Sequence, residues 1–356
     1  MKKNLIALAV LAASGVVSAQ SSLTIYGIAD VWFGSSNPAN GSRQTVIGSG
    51  GVSQSRFGFR GTEDLGGGFK ANFVLEQGFN IDTGTQATAG QAFSRQSYVG
   101  FSTPYGEVRL GKTYTAFDDI SGATAPGFDS ALSPYTGVWV SGGLTAAYAA
   151  NPANTIYYAS PSFSGVSAAA SYSLGENKNA VTVGKNNATA VGSFNVKYDG
   201  GPVSVGLAYQ AEKFLVGTTA PITSPAKSTK FLRLNGSYDL GVVKLLAGFG
   251  RVTERAVAVV PATTPATFNS VNSKEWQVGV DFPVNSALTL SGGFAGSTDN
   301  DAADTKRTGF GLAANYALSK RTSVYGGVQA TKTTDNKIGT ADKKSDLYAV
   351  GVRHTF

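Results

Sequence analysis

From Leu23 onward, apolar side chains recur at every second position in runs of about ten residues, and each run stops at Gly, Asn, Asp, Ser or Pro. Phe69, Ala71, Phe73 and Leu75 alternate with Lys70, Asn72, Val74 and Glu76. Val203, Val205, Leu207 and Tyr209 alternate with Ser204, Gly206, Ala208 and Gln210. Trp276, Val278, Val280 and Phe282, then Leu288, Leu290 and Phe294, then Phe310, Leu312, Ala314 and Tyr316 continue the pattern. A period of two means strands with one apolar face. Beyond the first residues no window carries apolar side chains at i, i+3 and i+4, so no helix is expected in the body of the chain.

A β-sandwich also alternates, but three details favour a barrel in lipid. The runs suit the nine to eleven residues of a tilted membrane strand better than the five or six of a globular one. Aromatics gather near run ends, as with Tyr26, Trp32, Phe33, Tyr172, Tyr198, Tyr209, Tyr238, Trp276, Phe282, Tyr316 and Tyr348, which suits interfacial girdles. The second face is Gly, Ser, Thr, Asn and charge, which can line water but not a dry core. Short links at Glu63–Gly68, Thr103–Gly106, Pro161–Gly165, Asp199–Pro202, Leu240–Gly241, Pro283–Ser286 and Leu318–Arg321 alternate with long ones. The long ones are Asn37–Ser53, Asp82–Gln91, Tyr114–Ala153, Glu176–Thr189, Leu215–Thr229, Arg255–Asn272, Thr298–Lys306 and Thr334–Lys344. Seven short and eight long connections predict an all-β fold: a sixteen-stranded antiparallel transmembrane β-barrel with short periplasmic turns and long outer loops.

Composition narrows the function. With Cys 0 and His 1 in 356 residues there is no thiolate, no Cys or His metal cluster and no ordinary triad, so enzyme, cofactor and metal readings all start from nothing. Met1-Lys2-Lys3, an apolar run from Leu5 to Val17 and the small-residue site Val17-Ser18-Ala19 read as a secretory signal peptide over 1–19, cleaved to leave 20–356 as one barrel domain. The net charge of +7 falls to +5 when Lys2 and Lys3 leave. No Lys/Arg cluster tracks a nucleic-acid backbone. Gly66-Gly67-Gly68 lacks the Lys-Ser/Thr of a phosphate cradle and reads as a turn, and Asp299, Asp301 and Asp304 lack the Gly and distal Glu of a calcium loop. His354 has no catalytic partner in sight.

Several segments resemble the β-proteobacterial branch of the general porin family. They are Ser22-Leu23-Thr24-Ile25-Tyr26-Gly27-Ile28-Ala29-Asp30, the run from Ser55 to Ala71 containing Arg56-Phe57-Gly58-Phe59-Arg60-Gly61, Arg95-Gln96-Ser97-Tyr98-Val99-Gly100-Phe101, Gly106-Glu107-Val108-Arg109-Leu110-Gly111-Lys112, and the ending from Val350 to Phe356. The resemblance spans the mature chain. It implies a homotrimer in the bacterial outer membrane, with small outward-facing residues such as Gly27 and Ala29 expected to allow close contact between barrels. Each barrel is then a water-filled pore narrowed by a third loop folded inward, for passive diffusion of small hydrophilic solutes and ions. The implied partners are outer-membrane lipid and lipopolysaccharide, and the barrel insertion machinery, which would read the terminal Phe356. Tyr114–Ala153, the longest unpatterned segment, is the expected third loop.

Strand parity then places charge in the pore. With Phe57 and Phe59 on lipid, Arg56 and Arg60 point inward; with Val108 and Leu110 on lipid, so does Arg109. Arg95 joins them by resemblance, since either Tyr98 or Val99 can face out on its strand. The inward loop offers Asp118, Asp119 and Asp129 opposite. A basic wall facing an acidic loop orients dipolar solutes and sorts ions; alternatively the arginines pair with neighbours such as Glu76 and stiffen the barrel. The chain departs from the family in having Tyr157-Tyr158 where an arginine is common and Gly127-Phe128 where an acidic residue is common, so only a slight anion preference is expected. A substrate-specific channel, a plugged adhesive barrel and a barrel hydrolase are the rival functions. Conductance separates the plugged barrel, and an esterase assay the hydrolase.

Overall fold

The two-residue alternation resolves into strands along most of the described chain. The computed structural model describes residues 22–39, 41–122, 130–141, 148–176, 188–214, 227–258, 268–337, 339 and 341–356. The expected signal peptide, Gly127, Phe128 and Asp129 lie outside the described residues. The first strands are β1 Ser22–Asn37, β2 Gln44–Ser49, β3 Arg56–Gly66, β4 Phe69–Asn80, β5 Thr85–Gln86, β6 Gln96–Thr103 and β7 Gly106–Lys112. Two short helices, α1 Asp118–Ser121 and α2 Pro134–Val138, follow. Then come β8 Thr155–Ala159, β9 Val166–Leu174, β10 Ala190–Gly200, β11 Val203–Phe214, β12 Lys227–Asp239 and β13 Lys244–Ala258. The last are β14 Phe268–Pro283, β15 Leu288–Asp299, β16 Thr305–Ala317, β17 Thr322–Asp335 and β18 Lys343–Thr355.

These eighteen segments make sixteen staves. β1 pairs with β3 along Ser22–Ile28 and with β2 along Val31–Ser36, so β2 and β3 are two halves of one interrupted stave. β5 only extends the tip of β4. Neighbours are antiparallel throughout, and β1 closes on β18 with Ile28 opposite Thr355 and Asn37 opposite Asp346. Closure leaves no strand edge for lipid to meet. Phe356 completes the seam: its backbone exchanges hydrogen bonds with Gly27, N to O at 3.1 Å and O from N at 3.0 Å.

Several expectations change. Asn37–Ser53 is not one loop, because Gln44–Ser49 ladders onto β1; its Gly- and Ser-rich composition hides a strand. Arg255–Asn272 is shorter than expected, since β13 runs on to Ala258 and β14 starts at Phe268; a bulge between Val252 and Arg255 breaks the alternation. The helices α1 and α2, of four and five residues, are too short to show a 3.6-residue period. Finally, Tyr26 and Trp32 are not girdle residues. Tyr26 faces inward and donates to Glu76 Oε2 at 2.9 Å, and Trp32 packs against a buried cluster of Leu132, Tyr325 and Ala349. Phe33, Tyr172, Tyr198, Tyr238, Trp276, Phe282, Tyr316 and Tyr348 do stand on the outer face with the apolar rows.

The outer face of Gly27, expected to let a second barrel approach, is occupied by the ring of Phe356, which a Cβ there would strike. The glycine triplet is a turn: φ is +82°, +62° and +82° at Gly66, Gly67 and Gly68, a left-handed run that L side chains resist. Asp299 is clasped by Arg255 and Arg307 at 2.9 and 3.1 Å, Asp301 accepts from Thr305, and Asp304 closes the turn before β16 with its N donating to Asp301 O at 3.1 Å; the three carboxylates do not converge. His354 lies exposed on the outer face against the Thr322 hydroxyl.

Candidate functional site

The described part of the segment between β7 and β8 lies inside the barrel, and its apolar side chains explain why. Ala116, Phe117, Ile120, Leu132, Tyr135, Val138, Trp139 and Val140 are all buried, although the loop belongs to no strand. Lumen-facing small residues receive it. Ser193 Oγ accepts from Phe117 N at 3.4 Å, Asn195 Nδ2 donates to Ala116 O at 2.5 Å and Asn235 Nδ2 to Ile120 O at 2.5 Å. Across the barrel, Ser297 Oγ donates to Val138 O at 2.9 Å and Gln329 Nε2 to Ser133 O at 2.6 Å. Glycines give the loop room: a Cβ on Gly250 would lie 2.9 Å from the Trp139 ring, and one on Gly311 would strike the Leu132 carbonyl. Much of the small polar face read as lining water therefore binds a loop.

Opposite, the structure brings four expected arginines to one side of the lumen, in two kinds of environment. Arg56 and Arg60, on the face of β3 opposed to Phe57 and Phe59, have no hydrogen-bond or ion-pair partner among the described residues; Arg60 lies over the Tyr26 ring at 5.1 Å. Arg95 and Arg109 are paired. Arg95 Nε donates to Glu76 Oε1 at 2.7 Å, its Nη1 reaches Gln54 Oε1, and it covers the Tyr114 ring at 5.6 Å. Arg109 donates twice to Glu107, at 3.0 and 3.0 Å, between the rings of Tyr98 and Tyr157 at 5.2 and 4.8 Å. Val99 faces out and Tyr98 in, which settles the parity of β6. Arg95 itself precedes the strand, and that irregular position lets an odd-numbered side chain turn inward.

On the loop, Asp118 accepts from Tyr148 OH at 2.6 Å, and Asp119 accepts from Tyr157 OH at 2.8 Å and Asn195 Nδ2 at 2.9 Å. Tyr157 thus ties Asp119 to the wall beneath Arg109. Burial pushes the Asp118 carboxyl up to about 6, with the neighbouring Asp119 raising it and the Tyr148 hydroxyl, Arg233 and Arg95 opposing. Burial raises Asp119 too. A carboxyl held above its ordinary value of 3.8 favours its neutral form in the folded loop, so the stabilisation is complete below about 3.8 and lost as pH rises through about 6. Acidifying from pH 7 to 5 is therefore expected to neutralise Asp118 and move the reversal potential towards anions with a midpoint near 6. Recording wild type and D118N across that range checks it, because D118N should show no such midpoint.

Three functional side chains go unflagged by the sequence. Arg353 on β18 joins the basic side, its Nε donating to Ser53 Oγ at 3.0 Å. Asp30 on β1 is fully buried and holds the break between β2 and β3. Arg233 on β12 is fully buried beneath the loop. Parity is the signal that could mark all three as inward; nothing local says what each would meet.

A closed sixteen-stave barrel with a loop packed inside it and guanidinium groups along the remaining passage defines a diffusion channel of the outer-membrane type. Comparison with known proteins gives the family. A model of the Gram-negative porin family matches residues 6–336. The chain is 34% identical over 367 residues to outer membrane porin protein 32 of Delftia acidovorans, covering 99% of this chain and 95% of that one. It is 30% identical over 399 residues to an outer membrane porin protein of Bordetella pertussis, covering 100% of both. Among solved structures, the anion-selective porin from Comamonas acidovorans superposes with a TM-score of 0.78 at 28% identity, over 94% of this chain and 100% of that one. The chain belongs to the Gram-negative porin family, in its β-proteobacterial branch, and resides in the outer membrane.

Proposed function

We propose that this porin is a general diffusion channel for small hydrophilic solutes with a slight preference for anions, working without catalysis, cofactor or metal. The observation that carries the preference is the charge balance of the passage. Arg56, Arg60, Arg95, Arg109 and Arg353 stand against Glu76 and Glu107 on one side, with Asp118 and Asp119 on the loop. The structural neighbour named anion-selective supports the same sign. Residues 1–19 act as the cleaved signal peptide, and 20–356 as one barrel domain that assembles as a homotrimer amid outer-membrane lipid and lipopolysaccharide. Planar-bilayer recording of purified protein in a salt gradient tests this reading. It predicts closing in three equal steps and a reversal potential on the anion side; a silent protein or a cation-side potential overturns it.

Phe356 serves as the assembly signal for the insertion machinery. Its ring fills the place a side chain on Gly27 would take, and its backbone ends the β1–β18 seam, so its loss opens both. Deleting Phe356 should cut the amount of heat-modifiable barrel in the outer membrane several-fold at equal synthesis, as read by quantitative immunoblotting of membrane fractions. Unchanged levels would reject the role.

A further inference from the structure

Among the described residues, Arg233 is the largest charged group with no exposure to solvent. It projects from the middle of β12 into the packed underside of the inward loop. Its Cζ lies 5.0, 5.3, 4.9 and 5.8 Å from the ring centroids of Phe117, Tyr135, Trp139 and Tyr148, an aromatic cage for a cation. Its fork also donates to three loop hydroxyls. Nη1 reaches Ser121 Oγ at 2.6 Å and Tyr135 OH at 2.8 Å, and Nη2 reaches Ser141 Oγ at 2.6 Å. Ser141 passes the contact on: its Oγ donates to Glu275 Oε2 at 2.5 Å, and its N to Oε1 at 3.0 Å. One side chain thus touches α1, α2, the stretch that follows α2 and Tyr148.

We propose that Arg233 is the positioning residue of the constriction, fixing where the inward loop stands and, through it, where Asp118 stands. The link to Asp118 is short. Arg233 holds Ser121; Ser121 contacts the Tyr148 hydroxyl; that hydroxyl donates to Asp118 Oδ1 at 2.6 Å. Arg233 makes no contact with the passage itself, so it acts only through the loop.

Physical chemistry separates this role from mere stabilisation. Taking a guanidinium and a carboxylate out of water costs several kcal/mol per ion, and replacing such a pair with apolar groups of like size is commonly neutral or favourable for folding. What the pair supplies instead is direction. Phe117, Tyr135, Val138 and Trp139 would bury themselves in several arrangements, whereas donors in a fixed fork accept one. An apolar residue at 233 therefore keeps the barrel and loses the single loop position.

The test uses full-length protein in planar bilayers, with R233M/E275Q removing both buried charges together and S141A removing only their bridge. The double variant is expected to keep the heat-modifiable barrel of wild type. It should show roughly a tenfold rise in transitions between conductance levels, the factor that loss of one charge-assisted hydrogen bond carries. The pH dependence assigned to Asp118 should also lose its midpoint near 6. S141A should shift both readouts the same way by less. Wild-type conductance steps and pH midpoint in both variants overturn the proposal, and so does failure of the double variant to form a barrel, which would make Arg233 a determinant of folding. The inference rests on the porin reading, and wild-type protein that does not conduct would fail that reading rather than this one.

Discussion

Replacing Arg56 and Arg60 together by glutamine is expected to move the reversal potential in a salt gradient towards cations. Both guanidinium groups lack a carboxylate partner among the described residues, so each acts on passing ions with its full charge. In water a unit charge acts on another at 4 Å with about 1 kcal/mol, roughly fivefold in local concentration. Two such charges removed from one side of a passage should therefore change the anion-to-cation permeability ratio several-fold. Arg95 and Arg109 behave differently because each neutralises a carboxylate, Glu76 or Glu107. R95Q alone unmasks Glu76 and shifts the potential towards cations, but R95Q/E76Q removes a neutral pair and should return it close to wild type. Screening sets the conditions: the Debye length is about 10 Å at 0.1 M salt and about 3 Å at 1 M, so the shift shrinks as salt rises. R56Q/R60Q that folds, conducts and reverses where wild type does at low salt would show that solutes are sorted by width alone.

That contrast between paired and unpaired arginines marks how far the chain can be read without its structure. Alternation alone puts Arg56, Arg60 and Arg109 on the inner face, since a strand offers two sides and their neighbours Phe57, Phe59, Val108 and Leu110 claim one. The barrel follows from the same period and from the alternation of connection lengths. Partners do not follow. Glu76 lies nineteen residues from Arg95 and Glu107 two residues from Arg109, and parity marks both carboxylates as inward without saying which cation each meets. The inward loop is legible only as a long unpatterned segment. Its burial comes from Phe117, Tyr135, Val138 and Trp139 meeting a wall of Ser, Asn and Gly supplied by distant strands. A glycine on a lumen face looks alike whether it meets water or a loop backbone, as Gly311 does.

Tyr26, Trp32 and Gly27 teach the opposite lesson. Residue type alone assigns each to the membrane side: aromatics to girdles, glycine to close contact between barrels. Parity along β1 opposes the first two, because Leu23, Ile25 and Phe33 hold the outer face and even-numbered residues point in. Gly27 is on the outer face, but the space above it is filled by Phe356 from the far end of the chain. Where residue type and strand period disagree in a barrel, the period decides, because slipping one residue reverses every side chain of the stave.

The largest loss of stability is expected from D30A. Asp30 faces inward from β1, fully buried, at the point where the neighbouring stave breaks between β2 and β3. Its carboxylate accepts from Gly51 N at 3.0 Å, Val52 N at 3.0 Å, Ser53 N at 2.7 Å and Tyr325 OH at 2.5 Å. Three successive amides that a regular strand would have used in its ladder are satisfied by one side chain. Alanine takes the acceptor away from those amides and from the phenol, at about 1–3 kcal/mol for each group left short of a partner, so a loss of about 3–5 kcal/mol is expected even after relaxation. D30N should not restore it, because one of the two acceptor oxygens becomes a donor facing other donors. The damage also reaches the passage. Ala131 N donates to Gly51 O at 2.9 Å, and Val52 packs against the cluster of Leu132 and Tyr325, so the break braces the inward loop. Urea unfolding in detergent, followed by tryptophan fluorescence, should show D30A and D30N with clearly lowered midpoints, and bilayer recordings of whatever folds should show more frequent changes of conductance level. Midpoints equal to wild type in both variants would mean that the break at 50–55 is held by its own backbone and that Asp30 is incidental to it.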